Sequence, residues 1–252
     1  WPSRPGFCPP DSLDVRYAPP FAFREALYHG VLTDAAFKVR MRNNVTSLTR
    51  YIVPPTVEQF IPPQMGGNHR LVFFKGRRSS YHSFYEILPP DKWFADHPEW
   101  YSYRASEGRR VAQRGQLCVT NEEMTRAYIR ETLRLLHESS DCDVIQVSQN
   151  DNEHPCECER CRARFLAEGA WSGPYLEFVN KVAEAVEREF PDVKVDTFAY
   201  QFTRKAPKSV RPRQNVLVRL CDIECFFNRP LEGQPAGTPN QTFVADLEAW
   251  SR

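Results

Sequence analysis

The chain has 252 residues, with 33 Lys plus Arg against 32 Asp plus Glu. A net charge of +1 gives no field strong enough to gather nucleic acid or anionic lipid, and without a run of about 18 apolar residues no membrane span is expected. Hydrophobic residues at 41% and charged residues at 26% fit a globular chain, long enough for one large α/β domain or two small ones.

Aromatic residues reach 13%, and 21 prolines stand against 11 glycines. Rings suit both a packed core and the stacking of sugar faces. The prolines predict long, stiffened loops. The opening Trp1-Pro2-Ser3-Arg4-Pro5 lacks the basic and apolar regions of a signal peptide. The chain stops at Trp250-Ser251-Arg252, inside an amphipathic pattern. The expectation is therefore a piece of a longer protein, with residues 1–19 as a lead-in and 20–252 as one domain.

In chain order, Phe21-Ala22-Phe23 reads as a short strand ending at Arg24. Thr33 or Asp34 can cap a helix to about Arg42. Val45 to Val53, Leu71 to Phe74 and Tyr81 to Tyr85 are strand candidates around an irregular stretch containing Gly66-Gly67-Asn68-His69. Pro89-Pro90 opens a turn and a short helix with Trp93. Gln116 to Val119 reads as a strand. A helix from Thr120 or Asn121 to about Ser139 places Met124, Tyr128, Thr132, Leu135 and Leu136 near one face. Val144 to Val147 is a strand and is followed by a cysteine-rich loop. Ser172-Gly173-Pro174 opens a helix through Phe190. Val193 to Tyr200 and Val216 to Leu220 are further strands, and a last helix includes Asp246 to Trp250.

Alternating strands and helices predict βαβ units and a parallel sheet. No Gly-x-Gly-x-x-Gly or phosphate-loop lysine follows any strand, which disfavours a nucleotide site. Acidic, amide and aromatic residues sit just past several strands, where an α/β barrel carries its active site. The expected fold is thus a TIM-type (β/α) barrel, incomplete because about six units are visible and eight are needed.

Ser148-Gln149-Asn150-Asp151-Asn152-Glu153 is the densest polar cluster. It invites a wet cleft, although an Asx turn also explains it. Asp222 and Glu224 follow the Val216 strand, and Asp196 shares an alternation with Tyr200. Carboxylates from different strand ends can flank a glycosidic bond, one donating a proton and the other supporting positive charge or acting as nucleophile. Salt bridges with Arg24, Arg204 or Arg219 are the structural alternative. Asp151 is the expected acid and Glu224 its partner. Arg24, His69, His82, Asn150, Tyr200 and Asp222 are the expected sugar contacts.

Cys156-Glu157-Cys158-Glu159-Arg160-Cys161 offers three thiolates to one metal, with His154 or Cys225 as a fourth ligand. A disulfide or packed thiols would also account for it. Cys118, Cys142 and Cys221 are expected to pack as small apolar groups. No cofactor is expected, and the metal question stays open. Asn44-Val45-Thr46 and Asn240-Gln241-Thr242 match the glycosylation pattern, a frequent chance match.

The strings Tyr81-His82-Ser83-Phe84-Tyr85, Leu88-Pro89-Pro90, His97-Pro98-Glu99-Trp100-Tyr101 and Gln116-Leu117-Cys118 occur in order. Ser148-Gln149-Asn150-Asp151, the Cys156 to Cys161 run, Phe178-Val179-Asn180, Ala199-Tyr200-Gln201 and Arg219-Leu220-Cys221 follow them. This series, over about residues 20 to 250, resembles the bacterial domain of unknown function four-eight-three-eight. That group is similar to the α-glucuronidase and hexosaminidase barrels and includes members of glycoside hydrolase family one hundred and sixty-three, endo-β-N-acetylglucosaminidases acting on N-glycans. The resemblance implies an exported barrel that degrades complex glycans, with Asp151 as the acidic residue after the fourth strand and Glu224 as one after the sixth. The sequence departs from substrate-assisted hexosaminidases in having Asp151-Asn152-Glu153 where they have an adjacent Asp-Glu pair. A barrel that binds carbohydrate without turnover, and a zinc-stapled structural domain, are the rival readings.

Overall fold

A computed structural model describes residue 24 and residues 34–43, 63–67, 82–138 and 142–252 of the chain. The candidate strands at Phe21, Val45 and Leu71, together with His69, Asn44 and Cys8, lie outside the described residues.

The helix expected after Asp34 forms as α1 (Ala35–Arg40), and the Asp34 side chain accepts the Phe37 N–H. The Tyr81 to Tyr85 run is not a strand where it is described. Its second half turns into α2 (Phe84–Ile87), because Ser83 and Ser148 exchange bonds that hold the segment against the sheet instead of in it. The proline-started turn is α3 (Pro90–Trp93). Gln116 to Val119 also departs from expectation. It makes a single antiparallel bridge, Leu117 to Tyr101, and no ladder with the parallel sheet. Cys118 and Gln116 there direct their hydrogen bonds to side chains and loops. Between these segments a small hairpin joins β1 (Tyr103–Arg104) to β2 (Arg109–Arg110).

The second half follows the sequence pattern closely. Helix α4 (Glu122–Glu138) starts where Asn121 accepts the Met124 N–H, and it buries Met124, Tyr128, Thr132, Leu135 and Leu136 as the periodicity predicts. Strand β3 (Val144–Gln146) leads into the cysteine loop. That loop contains a helix the sequence reading missed, α5 (Glu159–Glu168), ended by Gly169 in the left-handed conformation. Only two of its residues, Cys161 and Glu168, are buried, so its apolar signal is too weak to read. Helix α6 (Ser172–Glu189) and strands β4 (Lys194–Ala199) and β5 (Val216–Leu220) follow, then α7 (Pro239–Trp250), which contains the expected Asp246 to Trp250 stretch.

The three strands β3, β4 and β5 pair in parallel and in chain order. Gln146 stands opposite Asp196, and Val195 opposite Val216. Alternation then divides the sheet. Ile145, Val195 and Ala199 are fully buried, and α6 packs on β4 and β5 through a face that buries Val179, Val182, Ala183 and Val186. Each such valine contributes about 1.5–3 kcal/mol by leaving water. Asn215 fixes the entry to β5 by donating to the Ala183 carbonyl at 2.8 Å. The opposite alternation carries Gln146, Asp196, Phe198, Leu217 and Arg219, and it leads into Tyr200. An aromatic nest of Phe84, Tyr128, Tyr175 and Phe178 joins α2, α4 and α6, with ring centroids 5.1 to 5.9 Å apart.

Glu168 locks the α5–α6 junction. It is buried, and its carboxylate accepts from the Ser209 N–H and hydroxyl and the Val210 N–H. The Ser209 hydroxyl bond is the main reason its carboxyl is held below the usual range. A β-carbon at Gly173 would collide with Glu168 Cβ and Cγ. Gly173→Ala is therefore expected to destabilise the chain by about 2 kcal/mol, read as a lower urea midpoint at unchanged slope. An unchanged midpoint would mean that the two helices have room to separate.

Candidate active site

The C-terminal ends of β3, β4 and β5 bring several of the expected residues together. Past β3, the polar run is held from below. Gln116 Oε1 accepts the Asn150 N–H at 2.8 Å, and Gln116 Nε2 donates to the Asn150 carbonyl at 3.0 Å and to Asn152 Oδ1 at 3.1 Å. Asn150 Nδ2 donates to the Gly115 carbonyl at 2.8 Å. Asn150, expected as a sugar contact, thus places its amide under the loop and holds it in shape. Asp151, between the two asparagines, is exposed.

Past β4, the Tyr200 hydroxyl donates to Asp151 Oδ1 at 3.0 Å, and Gln201 Nε2 donates to the Tyr200 hydroxyl at 3.1 Å. Burial, followed by the Asp151 hydrogen bond and the nearby charges of Asp151 and Glu224, pushes the Tyr200 phenol up to about 12. Tyr200 therefore stays protonated and donates. Burial and the surrounding acids Asp196, Asp222 and Glu224 likewise push the Cys221 thiol up to about 12, against the opposing charge of Arg219.

His82 reaches the same place. Its Nδ1 lies 2.8 Å from the Gln149 carbonyl, so Nδ1 carries the proton and Nε2 is the acceptor in the neutral ring. Its ring packs edge-on against Phe198 at 5.6 Å and lies 6.0 Å from the Tyr200 ring. His82 and Gln201 both adopt left-handed backbone, with φ of 61° and 51°. Non-glycine residues held there store strain and cluster at functional sites. Gln149 secures the turn by donating to Thr203 Oγ1 at 2.7 Å and to the Tyr200 carbonyl at 3.2 Å.

Past β5, Asp222 and Glu224 sit in a turn, so strand alternation does not orient them. Asp222 is exposed. Glu224 faces Arg204 at 3.4 Å, while Arg204 Nε binds Asp246 at 2.7 Å and anchors α7. The same loop exposes Phe226 and Phe227 beside these acids, which the sequence reading did not single out. Their signal was the Phe-Phe pair that begins two residues after Glu224.

The remaining expectations resolve differently. Asp196 is buried, 3.2 Å from Arg219 and 3.2 Å from the Gln146 amide. Arg24 donates to the Arg42 carbonyl at 2.7 Å. Asn240 is buried with its amide donating to the Phe226 and Pro230 carbonyls, which is incompatible with a glycosylated asparagine in the folded chain. Two grooves flank the β1–β2 hairpin, one along Arg104, Arg109 and Arg114 and the other along Glu107, Glu153 and His154, and Asp151, Asp222 and Glu224 line neither.

A second constellation lies at the base of the Asp151 loop. The sulfurs of Cys118, Cys156, Cys158 and Cys161 all lie within 4.8 Å of one another, and all four residues are buried. Cys118 Sγ is 3.6 Å from Cys158 Sγ and 4.0 Å from Cys161 Sγ. The group beside the Cys156 to Cys161 run is thus Cys118, and neither His154 nor Cys225 belongs to it. Cys118 does not simply fill apolar space. None of the described cysteines is in a disulfide.

A family profile, domain of unknown function (DUF4838), matches residues 1–252. The chain belongs to the DUF4838 family. No curated protein and no solved structure matches it. As a DUF4838 chain it has the ordered motifs on which the resemblance rested, and several of them (His82, Gln116, Ser148 to Asp151, Tyr200-Gln201) converge at the strand ends. No helix among the described residues is long and apolar enough to cross a membrane.

Proposed function

We propose that this DUF4838 chain is a sector of a (β/α) barrel that hydrolyses glycosidic bonds in complex glycans at the ends of β3, β4 and β5. The observation that carries the reading is the Tyr200–Asp151 hydrogen bond of 3.0 Å, made within the electrostatic reach of Glu224. Two carboxylates from different strand ends thereby lie near one phenol, with the His82 ring 6.0 Å from that phenol and exposed Phe226 and Phe227 on the loop that carries Glu224. That set suits a sugar: acids for the glycosidic bond, amide and phenol for hydroxyls, rings for the pyranose face.

The roles follow from the hydrogen bonds. Asp151, which accepts from the Tyr200 hydroxyl, supports positive charge at the anomeric carbon or attacks it. Glu224, exposed and 3.4 Å from Arg204, is the second carboxylate of the pair. As general acid it gives a proton to the leaving oxygen as the glycosidic bond breaks. Water then adds its hydroxyl to the anomeric carbon and returns a proton to Glu224. This exchanges the roles expected from the sequence. An N-acetylglucosaminide or a glucuronide is the substrate class that the family resemblance favours, and export to the cell surface or beyond accompanies that reading.

The test is release of reducing ends from N-glycans and from glucuronate-containing oligosaccharides, by the parent and by Glu224→Gln. Loss of release in the variant, restored for substrates with a good leaving group that needs no proton, supports Glu224 as acid. Glycan binding without turnover by the parent would favour a carbohydrate-binding barrel instead.

A further inference from the structure

We propose that Cys118, Cys156, Cys158 and Cys161 bind one tetrahedral zinc ion that staples the base of the Asp151 loop. Zinc–thiolate bonds of about 2.3 Å place tetrahedral sulfurs about 3.8 Å apart. The Cys118–Cys158 and Cys118–Cys161 separations, 3.6 and 4.0 Å, bracket that value, and all four sulfurs lie within 4.8 Å of one another. A disulfide needs sulfurs about 2.05 Å apart. A multinuclear iron–sulfur cluster interposes further atoms between its thiolates and needs a wider cage. A single ion with four soft ligands is what this cage fits.

The surroundings match a charged centre better than four neutral thiols. The Tyr103 N–H donates to Cys156 Sγ at 3.3 Å, Arg110 Nη1 stands 3.6 Å from the same sulfur, and Thr120 Oγ1 is 3.2 Å from Cys161 Sγ. Four thiolates around one divalent cation leave a net charge of −2. An arginine and peptide or hydroxyl donors are the groups that offset it, as outer-shell partners do in metal sites. Cys158 occupies the N-cap position of α5 and Cys161 lies in its first turn, where the helix N-terminus also favours thiolate. Binding displaces the thiol protons to solvent.

The ion ties together segments far apart in sequence. Cys118 follows Gln116 by two residues, and Gln116 cradles the backbone on both sides of Asp151. The staple fixes α5 and the Gln116 segment to one another, and through Gln116 it sets the height of Asp151. The metal assignment itself stands apart from the glycosidase reading, since it rests on the cage alone.

The test is metal analysis of the parent chain purified without chelators, followed by cobalt exchange. The expected result is about one equivalent of zinc per chain, and cobalt substitution that gives thiolate charge-transfer and tetrahedral d–d absorption bands. Cys158→Ser and Cys161→Ser should lower the zinc content several-fold, while Cys225→Ser and His154→Ala leave it unchanged. Where a cysteine variant fails to fold, the cobalt spectrum of the parent still decides the matter. Absence of both zinc and cobalt uptake in the folded, fully reduced parent would overturn the proposal. So would an iron content that replaces zinc, or a native mass two or four hydrogens short from disulfides within the cluster.

Discussion

Replacing Asp151 with asparagine is expected to leave the chain folded and to lower glycan turnover by about 10²-fold to 10⁴-fold. Asparagine keeps the side-chain shape and can still accept from the Tyr200 hydroxyl, so the loop held by Gln116, Asn150 and Gly115 should not move. What disappears is the negative charge opposite the anomeric carbon. The loss should fall on kcat, because the interaction strengthens only as positive charge develops. Tyr200→Phe removes one donor to that carboxylate and should cost less, about tenfold. Steady-state kinetics with matched circular dichroism check both. Undiminished turnover in Asp151→Asn would take Asp151 out of the chemistry, and equal losses in KM alone would recast it as a binding group.

The second large effect concerns pH and Asp196. Burial pushes the Asp196 carboxyl up to about 6, more than the Arg219 charge and the Gln146 amide can bring it down. A folded-state value raised above the unfolded 3.8 has one sign. The folded chain holds the proton more tightly, so this contribution to stability is complete below pH 3.8 and is lost as pH rises through about 6. A shift of that size corresponds to about 3 kcal/mol. Asp196→Asn cannot titrate, so the parent should lose about that much relative to the variant between pH 4 and pH 7. Urea unfolding of both chains at the two pH values reads the difference. A parent that instead gains on the variant as pH rises would mean that the Arg219 ion pair outweighs desolvation.

The contrast between Asp196 and Asp151 explains what the sequence could and could not reveal. Both are acids on or after a strand, and alternation alone made Asp196 a neighbour of Tyr200. Depth separates them: Asp196 lies within β4 and is buried against Arg219, while Asp151 lies past β3 in solvent. Helices α4 and α6 were legible because a buried face repeats at 3.6 residues. The parallel strands were legible because runs such as Val144-Ile145 and Val216-Leu217-Val218 are short, apolar and β-branched. Helix α5 was hidden because its buried residues are a cysteine and a glutamate. Gln116 to Val119 misled because an apolar run with a buried glutamine looks like a strand, whereas its role is to reach across with Gln116 and Cys118. Membership of Cys118 in the sulfur group had no local signal, since 38 residues separate it from Cys156 and only the fold closes that gap. Gln201 was missed because a left-handed glutamine is a property of the turn and not of the residue type.

The most direct measurement of the central claim is hydrogen exchange by mass spectrometry on the Asp151→Asn chain, with and without a bound oligosaccharide. The account predicts that residues 148–153, 200–204 and 221–227 gain protection together, because all three loops line one sugar site. Protection confined to the grooves beside Arg104 and Arg109, or spread over only one of the three loops, would contradict it.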